Sequence, residues 1–202
     1  MAMKTYIQAI GEATVEEMER DETVFTMGED LRQSVYGATA GLVDRFGEDR
    51  VIDTPLSENG FFGAALGASL CGMRPIVETV TSFLWVGMDQ LISQASKMRY
   101  MFGGKAKIPL VIRTTIGAGF RAAAQHSDSP YSTLVHFPGL KVVAPSTPYD
   151  AKGLLTTSIR DDDPVIFCEN KLLYDSKGPV PEDDYVIPLG RSDVKREGRD
   201  VT

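Results

Sequence analysis

The chain has 202 residues, 43% of them hydrophobic and 24% charged, the mixture of a folded globular domain and not of a disordered or fibrous chain. Its formal net charge of -7 excludes a nucleic-acid or anionic-membrane partner, because both demand a basic face. The longest uncharged stretch, Asn59 to Met73, is too short to span a bilayer, and the N-terminus lacks the basic-then-apolar layout of a signal peptide, so a cytoplasmic protein is expected.

Helical and strand-like segments alternate along the chain. Thr5 to Arg20 is rich in helix formers, Val24 to Met27 is a short apolar run, and Tyr36 to Phe46 again carries a helical pattern before Val51 and Ile52. A helix is predicted from Phe61 to Cys71, a strand at Pro75 to Val80, and a long helix from Met88 to Met101 stopped by Gly103-Gly104. Pro109 to Thr114 reads as a buried strand, followed by a polar loop and a short helix at Ser132 to His136. Then come the strand Lys141 to Ala144, the helix Tyr149 to Arg160 and the strand Val165 to Glu169. Short apolar strands separated by helices pair in parallel through right-handed crossovers. The expected fold is therefore a three-layer α/β/α domain with a mostly parallel sheet, residues 1–174. Strand order stays open. From Asp175 prolines and charges replace the periodic pattern, so residues 175–202 read as a linker. Cys71 and Cys168 each lie in an apolar segment and read as small buried hydrophobes.

In open parallel sheets the ligand sits beyond the carboxyl ends of the strands. The polar residues there are Gly28-Glu29-Asp30, Ser57-Glu58-Asn59, Glu78 to Phe83, Gln125-His126-Ser127 and Glu169-Asn170. Their loops are expected to meet at one edge. Taken alone, Glu58 is a helix-start carboxylate favoured by the helix dipole. Gly60, Gly63 and Gly67 follow it at helical spacing, leaving one helix face open to a backbone or a flat ligand, so the same carboxyl could bind a heterocyclic nitrogen. His126 as a lone loop histidine is more often structural, and His136 sits in a mostly apolar stretch. Gly117-Ala-Gly119-Phe-Arg-Ala122 imitates a dinucleotide fingerprint, but no acidic residue stands at the ribose distance and no helix follows, so it reads as a flexible loop. A Walker loop, an HExxH helix, paired metal-binding cysteines and a nucleophile elbow are all missing.

Several blocks carry a resemblance: Ile52-Asp-Thr-Pro-Leu-Ser-Glu58-Asn-Gly-Phe61, Gly72-Met-Arg-Pro-Ile76, Asp89-Gln90, Ala124-Gln-His126-Ser127, Pro138-Gly-Leu-Lys-Val-Val143 and Ala144-Pro-Ser-Thr-Pro-Tyr-Asp-Ala-Lys-Gly153. In order and spacing they resemble beta subunits of thiamine-diphosphate-dependent pyruvate, branched-chain 2-oxoacid and acetoin dehydrogenases. That resemblance implies a transketolase-like pyrimidine-binding domain. It places Glu58 on the glutamate that contacts N1′ of the cofactor's aminopyrimidine, a bond that favours the imino tautomer whose 4′-nitrogen removes the thiazolium C2 proton. Phe83 is implied to stack on the pyrimidine, and Glu29, after the first strand, is expected as a further cofactor contact. His126 falls on the active-site histidine that handles protons or positions the acyl intermediate before it passes to lipoamide. Leu110, Ser158, Ile159, Asp161 and Asp163 correspond to segments that hold a structural potassium ion in some relatives.

The resemblance also implies what must come from elsewhere. The diphosphate and its magnesium are held in this family by a Gly-Asp-Gly segment on an alpha subunit, a motif this sequence lacks. An alpha2beta2 assembly, a lipoyl acyltransferase core as partner, a small 2-oxoacid or acetoin as substrate, and a further C-terminal domain beyond residue 202 are expected. Two alternatives remain: a non-catalytic dimerisation or regulatory domain, and a fragment of a transketolase or deoxyxylulose-phosphate synthase.

Overall fold

The computed structural model describes residues 1–202. The chain opens with a strand, β1 (Ala2–Thr5), and a helix, α1 (Tyr6–Arg20). Thr5 starts that helix through a capping box: Gln8 N donates to Thr5 Oγ1 at 3.2 Å, and Thr5 N donates to Gln8 Oε1 at 2.9 Å. There follow β2 (Val24–Gly28), α2 (Leu42–Phe46), β3 (Val51–Asp53), α3 (Glu58–Leu70), β4 (Arg74–Val80) and α4 (Thr81–Leu84). A π-helical segment, Asp89–Ala95, runs into α5 (Ser96–Met101). Next come β5 (Val111–Ile116), a 3-10 turn at Ala124–His126, α6 (Tyr131–Val135), β6 (Lys141–Val143) and α7 (Pro148–Arg160). The last elements are β7 (Val165–Asn170), a 3-10 turn at Lys171–Leu173 and β8 (Lys177–Val180).

Six strands form one sheet in the order β3-β2-β4-β5-β7-β6, and every pair in it is parallel. Side chains alternate between its faces, as the two-residue period of a strand requires. Ile76, Val111, Val165 and Phe167 join one core cluster with Tyr6 and Ile10 of α1 and Leu155 of α7. Their neighbours Val77, Ile112, Ile166 and Cys168 join the other, with Phe61 and Phe62 of α3 and Leu91 of the π segment. Both faces are thus covered, which is why these strands read as continuous apolar runs. The three-layer α/β/α architecture expected from the sequence is the one observed.

Local differences have local causes. The helix anticipated over Tyr36 to Phe46 is confined to Leu42–Phe46, because Gly37 and Gly41 take φ of 92° and 74°, which helical backbone excludes. The helix anticipated from Phe61 begins three residues earlier, at Glu58. The long helix from Met88 is widened into π turns over its first half. β1 and β8 pair antiparallel outside the main sheet, Ala2 opposite Val180, a pairing that no local pattern announces. Further along, the Tyr185 ring stacks on Tyr149 of α7 at 4.8 Å between centroids, and its hydroxyl donates to the Tyr149 carbonyl at 2.7 Å. Cys168 is buried as expected, but Cys71 is exposed at the end of α3, where the apolar run has already passed out of the core. No helix is long and apolar enough to cross a membrane.

Candidate functional site

The strand order contains a switch point. β2 leads outward to β3 on one side, whereas β4, on its other side, leads to β5, so the loops leaving β2 and β4 diverge and open a crevice at the carboxyl edge. A cavity of about 220 Å³ occupies that place. Glu29, Asp30 and Tyr36 line it from the loop after β2, and Glu78, Thr79, Val80 and Phe83 from the end of β4 and α4. His126 closes it from the loop after β5. Four of the five polar loop ends expected to converge are therefore represented here or beside it.

Glu58 sits behind this set, 6% exposed in the first turn of α3, where the helix dipole favours an anion. It is not on the cavity wall, but it acts on Glu29, which is. The Glu29 carboxyl is pushed up to about 7, first by burial and then by the neighbouring charge of Glu58. The nearby Glu58 carboxylate thus makes the Glu29 proton harder to lose. Glu29 Oε1 is buried without a hydrogen-bond partner.

Phe83 and His126 meet edge to face at 5.6 Å between ring centroids, with 68° between their planes. The imidazole Nδ1 is also buried and unpartnered. Two orphaned polar atoms on one cavity wall are uncommon in a folded protein, since each costs about 1–3 kcal/mol unless a ligand satisfies it. Two of the three glycines of α3 lie against side chains: a Cβ on Gly60 would lie 3.0 Å from Ser57 Oγ and one on Gly63 3.3 Å from Gln90 Oε1, and Gln90 Nε2 donates to Asn59 Oδ1 at 3.1 Å.

Glu169, the fifth loop end, turns back into the sheet. Arg113 Nε donates to Glu169 Oε1 at 2.6 Å and Arg113 Nη1 to Glu78 Oε2 at 2.9 Å. Burial raises the Glu78 pKa, while the Arg113 charge opposes that rise. The sequence reading missed Arg113, although a cation inside an apolar strand was a visible signal. It also missed Tyr36, which it placed in a helix.

The potassium candidates gather at the opposite edge. The carbonyl oxygens of Ile159 and Asp161 each accept from Arg74 Nη1 at 3.0 Å. Leu110 O accepts from Val165 N at 2.9 Å and Ser158 O from Asp161 N at 3.3 Å. Asp163 pairs with Arg99 and Lys141. Arg74, Arg99 and Lys141 thus lie among the residues of this corner. No three His, Cys, Asp or Glu side chains converge as a metal-binding group. A hollow of about 700 Å³ between α5 and the loops before β6 and β7 also lies at the amino edge; it is lined by Arg99, Lys141 and Asp163 of that corner and by none of the residues around the crevice at the carboxyl edge.

An open parallel sheet with acidic and aromatic residues around the crevice at its switch point defines a ligand-binding α/β domain. A family model described as "Transketolase, pyrimidine binding domain" matches residues 2–177, and the chain belongs to that family. It is 53% identical to the acetoin:2,6-dichlorophenolindophenol oxidoreductase subunit beta of Bacillus subtilis (strain 168), over 96% of this chain and 61% of that one. It is 50% identical to the 2-oxoisovalerate dehydrogenase subunit beta of the same organism, over 100% of this chain and 63% of that one. It is 49% identical to the pyruvate dehydrogenase E1 component subunit beta of Rickettsia felis, over 98% of this chain and 62% of that one. The chain thus spans less than two thirds of the length of these relatives. Among solved structures, transketolase from Leishmania mexicana superposes with a TM-score of 0.69 at 14% identity, over 92% of this chain and 27% of that one. An inactive beta4 tetramer of a split gene transketolase gives 0.66 at 16% identity, over 95% of this chain and 56% of that one. These two likenesses are of fold.

Proposed function

We propose that this chain is the pyrimidine-binding part of the beta subunit of a thiamine-diphosphate-dependent dehydrogenase acting on a 2-oxoacid or on acetoin. The observation that carries the reading is the pair of unpartnered buried atoms, Glu29 Oε1 and His126 Nδ1, on the wall of one crevice. An aminopyrimidine offers ring nitrogens and an amino group to such atoms, so the residues fit the cofactor's flat end. The diphosphate end finds no counterpart here, because the sequence has no Gly-Asp-Gly segment. That half, with its magnesium, belongs to an alpha subunit in this reading, the complete unit being alpha2beta2 and delivering its acyl group to a lipoyl acyltransferase core.

When bound, the cofactor supplies the carbon nucleophile that attacks the substrate carbonyl. Glu58, behind the crevice wall in the first turn of α3, would hold the ring nitrogen N1′ by a carboxyl hydrogen bond, with the protonated Glu29 carboxyl beside it. Phe83 would bear on the flat face of the ring and shield it from water. His126, at the rim, accepts or returns a proton at its imidazole.

The test is reconstitution. Mixed with an alpha subunit, thiamine diphosphate and magnesium, the full-length beta chain should decarboxylate a 2-oxoacid or cleave acetoin, and Glu58→Ala should lower turnover by about 100-fold or more, the scale of a lost proton-handling group. Normal turnover by Glu58→Ala would defeat the proposal. Failure of every alpha subunit to confer activity would favour a dimerisation or regulatory domain.

A further inference from the structure

The 3-10 turn after β7 carries a buried lysine with no role so far. Lys171 is 2% exposed, and burial alone lowers its pKa, no neighbouring charge contributing. Its ammonium donates to one acceptor, the backbone carbonyl of His126. A lysine desolvated to hold a single carbonyl is costly to a fold, so the carbonyl it holds is informative.

The residues on either side of it shape the same loop. A Cβ on Gly117 would lie 3.1 Å from Asn170 Oδ1, and one on Gly119 would lie 3.1 Å from Leu172 Cδ1. The loop from Gly117 therefore runs in contact with residues 170–172 in turn. Asn170 is itself fixed, since its Oδ1 accepts from Leu172 N at 3.0 Å and caps the turn. At the loop base Gly117 N donates to Asp128 O at 2.9 Å. Between these anchors Arg121 and Ala123 take left-handed backbone, φ 59° and 67°, which L-residues keep only where the surroundings impose it. Ala123 leads directly into the turn that presents His126.

We propose that the turn Asn170–Leu172 is the template of the histidine loop, and that Lys171 is a positioning residue which fixes His126 at the cavity through its carbonyl. The consequence for turnover rests on the proposed role of His126. The ordering of the loop does not.

The experiment is amide hydrogen exchange on the full chain, paired with steady-state kinetics of the assembled enzyme. In Lys171→Met, segment 117–127 should exchange about tenfold faster while strands β5 and β7 keep their protection, and Lys171→Arg should restore the slow exchange. In the assembly, kcat should fall about tenfold with KM nearly unchanged, as for a displaced proton handler. Unaltered exchange at 117–127, or equal loosening of β5 and β7, overturns the inference. Faster loop exchange in an assembly that shows no activity even with the parent chain upholds it and sinks the proposed function instead. If Lys171→Met does not fold, Leu172→Ala tests the template at a residue 59% exposed. Faster exchange around Gly119 supports the template and unchanged exchange refutes it.

Discussion

Arg113 on β5 and Glu169 on β7 form a forked ion pair inside the sheet, Nε to Oε1 at 2.6 Å and Nη2 to Oε2 at 3.1 Å. Glu78 on β4 takes the third arm and Tyr174 donates its hydroxyl to Glu169 at 3.0 Å, so one guanidinium serves two carboxylates under the floor of the cavity. Arg113→Met leaves both carboxylates uncompensated and should cost about 3–5 kcal/mol in urea unfolding. A loss below about 1 kcal/mol would show that the pair is solvated and not buried as described.

The elevated Glu29 carboxyl makes stability depend on pH with a definite sign. Its folded pKa, about 7, lies above the ordinary 4.5, so the folded state holds the proton more tightly. This contribution is fully present below about pH 4.5 and is lost as pH rises through about 7. Glu29→Gln should flatten the fall in unfolding free energy between those limits, and NMR titration of the Glu29 side chain should place its midpoint near neutrality. A midpoint close to 4.5 would remove the coupling to Glu58.

Phe83 presents its ring edge-on to His126 at the cavity mouth. Phe83→Ala should weaken thiamine diphosphate binding to the alpha-beta assembly about tenfold, or about 1.4 kcal/mol, whereas Phe83→Tyr should retain it. Calorimetric titration distinguishes the two, and equal affinity for both variants would place the stacking surface elsewhere.

Loss of the Thr5 cap is a test of fold and not of function. Thr5→Ala removes the Oγ1 acceptor for Gln8 N, one arm of the capping box at the start of α1, and should cost about 1 kcal/mol. For a chain of this size that corresponds to roughly 2–4 °C in Tm. No measurable shift in thermal unfolding would mean that β1 alone sets the helix start.

The two cysteines should differ sharply toward a thiol reagent. Cys71 is exposed, while the Cys168 thiol is 1% exposed and pushed up to about 12 by burial, with Glu169 adding to the rise. One thiol per chain should react in the native state and two after denaturation. Two fast-reacting thiols in the native state would contradict the packing around β7.

The six parallel strands were legible because each carries a short apolar run, with β2, β5 and β7 buried on both faces, and α1 and α7 because their apolar residues recur at helical spacing. β1 and β8 were not legible, since each is only four residues long and pairs across most of the chain. At the site, Glu58, Glu29, Phe83 and His126 were named from the sequence, all four within the segments that follow strands, with the stacking role of Phe83 taken from the resemblance. The physical reading of Glu58 by itself stopped at a helix-start carboxylate. Arg113 and Lys171 escaped notice because a single charged residue in an apolar stretch carries no period, and only its partners reveal what it holds.

Local patterning by itself determined which segments are strands and helices, and hence that polar residues following each strand would collect at one edge. Only the tertiary structure decided that β2 and β4 are neighbours whose loops part. That order opens the crevice, brings Glu58 against Glu29 and leaves Glu29 Oε1 and His126 Nδ1 without partners. The reason is physical: side-chain periodicity encodes which face of an element is buried, whereas the order of strands depends on contacts between residues far apart in the chain, which no local pattern contains.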